Sequence, residues 1–325
     1  MTSRIAATAA LLSASALVLA GCSGSSGGSG GSSDGEYSPS GTVKMVVAMA
    51  AGGGSDRAMR VMSQAINEGA EGYSTVVENR EGGGGAVGWS YFYGLAGQPQ
   101  HLVKAETAIH TLPMQEGVDV PWTYADFTPI ALFAEDSRMV VAPADSDLDT
   151  CSDLVDSTGL SVGVSGTFGA DGMVLHHLDE AGLDADRVPF GSTGEVITGI
   201  LGGQIDAAPA SAAAVKPYVE SGDLKALCTL TEERYADDEV LADVPTAIEE
   251  GIDATVVIWR GILAAPDISD EAQQFWIDEV KRAVETDEYK DYITTDLLIE
   301  KQLYGDEFAT YLDEYDAEIQ EYFAE

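Results

Sequence analysis

The sequence predicts an α/β protein of two lobes, each a sheet of strands sandwiched by helices. Three observations carry this prediction. Apolar strand-like runs alternate with helical patterns, glycine- or hydroxyl-rich turns join several strands to the next helix, and a polar interruption separates two such series. The chain has 325 residues and is 45% hydrophobic, which is enough for a substantial core and allows one large domain or two lobes.

The first series opens with a strand at 43–49 and a helix at 57–68, whose methionine and isoleucine side chains share one face. The elements expected next are a strand at 74–78, a helix at 87–95, a short strand at 102–103, and strands at 128–134 and 139–142. The polar residues 135–137 interrupt the last two strands. We expect the chain to cross between the lobes there.

The second series has the same alternation of strands and helices. Strands are expected at 160–164, 187–190, 205–208 and 224–228, and helices at 171–181, 195–201 and 211–220. An apolar strand at 254–264 returns to the first lobe, and helices follow at 270–285, 288–294 and 306–323. This predicts a clamshell with residues 41–136 and 254–325 in one lobe and 137–253 in the other.

The first 21 residues read as a bacterial lipoprotein signal peptide. Arg4 gives a basic start, an apolar run too short to span a bilayer follows, and Leu19, Ala20 and Gly21 precede Cys22, the expected lipidation site. An ordinary secretory signal is the alternative. Residues 22–40 are rich in glycine and serine, so they are expected to form a flexible tether between a membrane anchor and a body outside the cytoplasm.

Two cysteines remain once Cys22 is lipidated. Cys151 and Cys228 form an even pair, and an oxidising compartment allows them to join as a disulfide. On the chain-entropy estimate, a disulfide over this separation would stabilise the folded protein by about 4 kcal/mol, because it reduces the conformational entropy of the unfolded chain. Two unpaired buried thiols are the alternative.

The charge of the chain limits its partners. The 55 acidic and 16 basic residues give a formal net charge of −39 at pH 7. Such a surface argues against nucleic acid and against anionic lipid as ligands, and it is best explained as a solvated acidic exterior. No aspartate ladder of EF-hand spacing is present in the sequence, so calcium binding is not expected.

Three turns after strands point to anion binding. The first contains Gly52, Gly53 and Gly54, whose backbone N–H groups are uncovered and face the positive end of a following helix. The others lie at 165–172 and 191–194, and such turns converge at the carboxyl ends of strands. The main expected contacts, which need no arginine, are backbone N–H groups and the hydroxyls of Ser55, Ser165, Thr167, Ser192 and Thr193.

Asp56 has two possible roles. It can cap the helix expected to start near Arg57, since a side-chain oxygen there accepts from an orphan N–H. Alternatively it contacts an amine or a water in the ligand layer.

A family resemblance follows from several segments in this order and spacing. They read VKMVVAMAAGGGSD, VVENREGGGGAVG, VPFGSTGEVITGILGGQIDAA, GDLKALCTL, VPTAIEEGI and WRGILAAP. Over nearly all of residues 41–325 the chain resembles the solute-binding proteins of tripartite tricarboxylate transporters, the Bug family. The resemblance implies a type II periplasmic-binding-protein-like fold, the Venus flytrap. It also implies a small di- or tricarboxylate as ligand, or alternatively an amino acid or an aromatic acid.

The resemblance also implies partners and site residues. The expected partners are two integral membrane transporter subunits, and the receptor is expected to be a monomer that needs no cofactor and no metal. The ligand-binding residues carried over by position are Gly52, Gly53, Gly54, Ser55 and Asp56, then Ser165, Gly166, Thr167, Phe168, Gly169 and Asp171, then Ser192, Thr193 and Gly194. The chain departs from the family pattern with Ala51 in place of a proline, and with Phe168 and Asp171 in the second loop.

Two other classes of function remain open at this point. The same closed lobes could dock on the outer domain of a receptor kinase, which would make the protein a sensor. An enzyme fits the sequence least, because the expected pocket lacks a nucleophile with its base, a metal-ligand set or a paired acid and base.

Overall fold

The computed structural model describes residues 37–115, 117–165 and 169–323. The signal peptide, Cys22, most of the tether, and Gly166, Thr167 and Phe168 lie outside the described residues. Among the described helices, none combines the length and the apolar character needed to cross a membrane.

The elements follow the predicted alternation of strands and helices. The first part of the chain contains β1 (Gly41–Val47), α1 (Gly54–Asn67), β2 (Tyr73–Asn79), α2 (Ala86–Tyr93), β3 (His101–Ala105), α3 (Ala108–Thr111) and β4 (Thr128–Pro143). The middle part contains α4 (Cys151–Asp156), β5 (Thr158–Val164), α5 (Ala170–Glu180), β6 (Asp184–Pro189), α6 (Thr193–Leu201), β7 (Ala208–Ser211), α7 (Ala212–Ser221) and β8 (Leu224–Thr229). The last part contains β9 (Val257–Ala264), α8 (Asp270–Ala283), α9 (Asp287–Thr295), β10 (Leu303–Tyr304) and α10 (Gly305–Phe323).

Strand β4 differs most from the sequence prediction, because it is one continuous strand of 16 residues. The polar residues expected to interrupt it lie within the strand, where cross-strand hydrogen bonds to β9 continue as far as Ser137. From Arg138 onward the partners of β4 are β7 and β8. The predicted crossing point is therefore a change of pairing partner in an unbroken strand.

This change of partner divides the molecule into two lobes. The first lobe has the strand order β10-β4-β9-β3-β1-β2, in which β1 pairs in parallel with β2 and β3. The second lobe is built on the later half of β4 with β7 and β8, and on the parallel pair β5 and β6. A bridge between Val162 and Ala207 joins that pair to the strand region before β7.

Alternating side chains of the strands fill cores on both faces. On β1, Met45 and Val47 pack with α1, α8 and α9, whereas Val46 points to a second cluster containing Trp89 of α2 and Phe308 of α10. This is the period-two pattern of a strand buried on both faces. The second cluster continues into the other lobe, where it includes residues of α5 and β8. The two lobes therefore share one hydrophobic layer.

The two cysteines form a disulfide, as one of the two sequence-based alternatives predicted. Cys151 opens α4, Cys228 lies in β8, and their Cα atoms are 5.6 Å apart. The bridge fastens a short helix, which the sequence pattern did not predict, onto strand β8 of the second lobe.

Helix α10 contacts both lobes. Its Tyr315 hydroxyl lies 2.8 Å from Thr107 Oγ1 in the first lobe, and its Tyr322 hydroxyl lies 2.6 Å from Nε2 of His177 on α5. The helix thus spans the junction between the lobes, where it contacts the start of α3 and the last turn of α5.

Candidate functional site

A cavity of about 560 Å³ lies where the two lobes meet. Met49, Gly84 and the segment from Glu106 to Gln115 contribute its first-lobe wall, and the second lobe contributes Arg138 and the starts of its helices. The full lining is Met49, Gly84, Glu106, Thr107, Ala108, Thr111, Leu112, Gln115, Arg138, Ser165, Gly169, Ala170, Gly191 and Ile258. The size suits a small organic molecule.

The first predicted turn is held by Asp56, which is only 4% exposed. Its carboxylate accepts hydrogen bonds from the Gly52 N–H at 2.8 Å, from Nδ2 of Asn79 at 2.9 Å and from Nε of Arg60 at 2.9 Å. Helix α1 starts at Gly54 with Gly53 as its N-cap, so the start expected near Arg57 is wrong. Asp56 does not occupy the cap position; it lies in the first turn and folds the loop back onto the helix.

In the other two turns, too, a carboxylate near the start of the following helix accepts a hydrogen bond from the loop. Asp171, near the start of α5, accepts from the Ser165 N–H at 3.0 Å and from the Ser165 hydroxyl. Glu195, in the first turn of α6, accepts from the Gly191 N–H at 2.8 Å. A carboxylate in the first turn of a helix is also favoured by the helix dipole. In all three turns an acidic residue therefore occupies one loop N–H that a ligand could otherwise use.

The hydroxyls of the turns are also engaged. Ser55 donates to both oxygens of Glu106 at 2.9 Å, Ser165 donates to Asp171, and Ser192 accepts from the Glu195 N–H at 3.3 Å. A serine hydroxyl carries one hydrogen. In this arrangement a ligand would meet the Ser55 and Ser165 oxygens as acceptors, and donors must come from backbone N–H groups or from other side chains.

Arg138 is the donor that the sequence analysis missed. It lines the cavity, and its side chain is 16% exposed. Its guanidinium lies 3.4 Å from Asp171 Oδ1 and 3.7 Å from Asp136 Oδ2. Within the described part of the chain, neither Arg138 Nε nor Asp171 Oδ1 has a hydrogen-bond partner. An arginine carries five N–H donors in a planar fork that matches a carboxylate.

Arg260, beside it, has a different role because its donors are used internally. It donates to Asp136 at 2.8 Å, to the Tyr292 hydroxyl at 2.6 Å and to the Gly54 carbonyl at 3.2 Å. Burial opposes its charge, but the nearby Asp136 carboxylate outweighs this and raises the pKa of Arg260. Arg260 therefore fixes the first turn to the β4 strand, whereas Arg138 is oriented toward the cavity.

Charged side chains of alternating sign lie under the cavity. The series runs Lys104, Glu106, Arg260, Asp136, Arg138 and Asp171, from the end of β3 across β4 to the start of α5. Its three positive and three negative groups balance. The excess negative charge of the chain is thus not repeated at the cavity floor, where local groups act with little screening.

The structure places the predicted ligand-binding residues unevenly. Ser165 and Gly169 lie on the cavity lining, next to Ala170 and Gly191. The described residues that are not on the lining are Gly52, Gly53, Gly54, Ser55, Asp56, Asp171, Ser192, Thr193 and Gly194. Their part in binding stays a prediction. The signal that could have identified Arg138 is its position as a charged residue directly after the polar residues 135–137, between two apolar strand-like runs.

Asp56 gives a testable pH dependence. The hydrogen bond from Arg60, with those from Gly52 and Asn79, lowers the pKa of Asp56 from 3.8 to about 2. A folded pKa below the unfolded one means that Asp56 stabilises the protein above pH 4 and that this contribution, about 2 kcal/mol, is lost as the pH falls toward 2. The free energy of unfolding, measured in urea for wild type and Asp56→Asn, should differ clearly at pH 5 and less at pH 3. A difference that does not change with pH would contradict this.

The chain is similar in sequence to known proteins. A family model described as "Tripartite tricarboxylate transporter family receptor" matches residues 59–303. Protein BugT of Bordetella pertussis is 25% identical over 238 residues, which are 70% of this chain and 71% of the relative. A protein of Cupriavidus necator, named for its place in the gbd 5′ region, is 26% identical over 78% of this chain and 77% of its own length.

Solved structures share the fold. A TctC solute-binding protein from Polaromonas superposes with a TM-score of 0.73 at 24% identity, covering 88% of this chain and 99% of its own. MatC of Rhodopseudomonas palustris, solved with bound malate, gives a TM-score of 0.72 at 22% identity, with 88% and 99% covered. Rpa4515 of R. palustris, solved with adipate, gives 0.76 at 18% identity, with 88% and 98% covered. The two-lobed α/β prediction is confirmed.

Proposed function

Because the chain belongs to the tripartite tricarboxylate transporter receptor family, we propose that it captures a small organic acid between its lobes and delivers it to the membrane subunits of such a transporter. The observation that carries the proposal is Arg138, whose guanidinium faces a cavity walled by both lobes. Relatives of the same fold that hold malate and adipate support an acid as the ligand.

The carboxylate is proposed to bind on the second-lobe wall. Arg138 offers a fork of donors, and the start of α5 at Gly169 and Ala170 offers backbone N–H groups without helical partners. Each hydrogen bond to a charged acceptor contributes about 1.5–3 kcal/mol. Two or three such bonds suffice for binding without help from the overall field of the protein.

Capture is proposed to use closure of the lobes. Residues 41–136 with 254–325 would move against 137–253, with β4, β9 and α10 as the connections between them. The Gly52–Gly54 turn would then approach the ligand from the first lobe and complete the predicted clamp with the Ser165 and Ser192 turns. The proposal includes a lipid anchor at Cys22 outside the cytoplasm, a monomeric receptor, and binding without turnover.

Thermal unfolding of the purified protein tests this function. The panel contains malate, succinate, adipate, citrate, glutamate, 4-aminobutyrate and benzoate, with the uncharged diamide of succinate as control. A ligand that binds only the folded protein adds about 2.7 kcal/mol at 100 times its Kd, so the effective acid should raise the melting temperature by several degrees. A folded protein whose melting temperature no acid changes would overturn the proposal.

A further inference from the structure

The first-lobe wall of the cavity carries one carboxylate, that of Glu106. It follows β3 directly and lines the cavity, with its side chain 20% exposed. Ser55 donates to both of its oxygens, and Lys104 donates to Oε2. A carboxylate has about four acceptor positions, so Oε1 retains capacity for a donor from the cavity.

The charges on this wall are arranged as a dipole. Lys104 is almost wholly buried, with 2% of its side chain exposed, so it lies behind Glu106. Burial by itself would raise the pKa of Glu106, but the Lys104 ammonium, with the Ser55 hydroxyl, outweighs burial and lowers it. Glu106 is therefore ionised at neutral pH. The negative end of the pair faces the cavity and the positive end faces the sheet.

The remaining first-lobe lining is neutral. Met49, Ala108 and Leu112 are apolar, and Thr111 and Gln115 carry no charge. Among the described residues that line the cavity, Arg138 and Glu106 are the two that carry a full charge at neutral pH. The cavity thus has one positive end on the second lobe and one negative end on the first.

We propose that the ligand of this cavity carries one carboxylate and, at its other end, a protonated amine that Glu106 accepts, so that Glu106 selects amino acids over dicarboxylates of the same length. This inference rests on the proposed function, because it takes the carboxylate to lie at Arg138. A second carboxylate at the Glu106 end would meet a like charge, and the nearby Arg260 guanidinium already donates to Asp136, Tyr292 and the Gly54 carbonyl. An ammonium there would meet an ionised acceptor with free lone pairs.

Isothermal titration calorimetry of the full chain with matched ligands tests whether amino acids are selected over dicarboxylates. The pairs are β-alanine with malonate, 4-aminobutyrate with succinate, 5-aminovalerate with glutarate, and 6-aminohexanoate with adipate, since each pair differs mainly in the second end group. In the pair of the preferred length, the amino acid is expected to bind at least tenfold more tightly than the dicarboxylate.

Glu106→Gln supplies the decisive variant. It keeps the size and one acceptor oxygen but removes the charge, so the preference for the amino acid should fall at least tenfold, with the dicarboxylate unchanged or tighter. The double variant Lys104→Met with Glu106→Gln removes both charges of the buried pair, so no unpaired ammonium is left. It replaces the single variant in the test if Glu106→Gln alone unfolds the protein. Glu220→Gln, exposed on α7, is the control and should leave the preference unchanged.

The outcomes separate the two proposals. Binding of dicarboxylates as tightly as, or more tightly than, their amino acid partners would overturn the role of Glu106 and leave the acid-binding function standing. An amino acid preference that survives in both Glu106 variants would also overturn it. Failure of every acid to bind would overturn the proposed function, and the selection with it.

Discussion

Replacing Arg260 by methionine is expected to lower the free energy of unfolding by about 3–5 kcal/mol, measured by urea denaturation at pH 7. The change removes the ion pair to Asp136 and the hydrogen bonds to Tyr292 and the Gly54 carbonyl. Asp136 is 8% exposed. Of the positively charged side chains that the structure describes, Arg138 would still lie 3.7 Å from it. A buried carboxylate left without a close partner is the reason for the large cost.

Arg57→Met is the matched control for this prediction. Arg57 also lies near the Tyr292 ring and pairs with an aspartate, Asp296, but half of its side chain is exposed. Exposed pairs contribute about 0–1 kcal/mol, so this variant should be nearly as stable as wild type. Adding Asp136→Asn to Arg260→Met should recover part of the loss. Equal effects of the two arginine variants would contradict the assigned role of Arg260.

Replacing Arg138 by glutamine is expected to weaken binding of the best acid about 10- to 100-fold, because one or two charge-assisted hydrogen bonds are lost. Asp171 and Asp136 would remain beside the carboxylate and add repulsion. Stability should change less than in the Arg260 variant, because Asp136 keeps its bond to Arg260. Isothermal titration gives the affinity, and urea denaturation gives the stability.

Two further variants sharpen the Arg138 prediction. Arg138→Lys keeps the charge but loses the planar fork, so its affinity should lie between those of wild type and Arg138→Gln. Arg234→Gln, on a partly exposed arginine of the second lobe that pairs with Glu249, should bind normally. Wild-type affinity in Arg138→Gln would remove Arg138 from the binding site.

Local patterns predicted most of the elements. The helical periodicity and the apolar runs located nearly every long helix and strand to within a few residues, because they report burial of one or both faces. The three helix-start turns and the pairing of Cys151 with Cys228 also follow from short-range signals and from residue counting. Elements with few residues, such as α3 and β10, were missed because two to four residues carry no period.

Contacts between distant residues could not be predicted in the same way. Ser55 meets Glu106 and Arg260 meets Asp136 across separations of 51 and 124 residues, and periodicity does not select such partners. The polar residues 135–137 predict a break between two strands, and this pattern places Arg138 in a loop. The continuous β4 places those polar residues in the junction between the lobes, where charge alternation stabilises them.

The central claim is that one small acid binds between the lobes with its carboxylate on Arg138. A crystal structure of the protein grown with the tightest acid of the panel tests this most directly. We expect carboxylate oxygens at about 2.7–3.2 Å from Arg138 nitrogens, with the other end of the acid against the Glu106 wall. An acid bound outside the cavity, or within it with no contact to Arg138, would show that Arg138 does not hold the carboxylate.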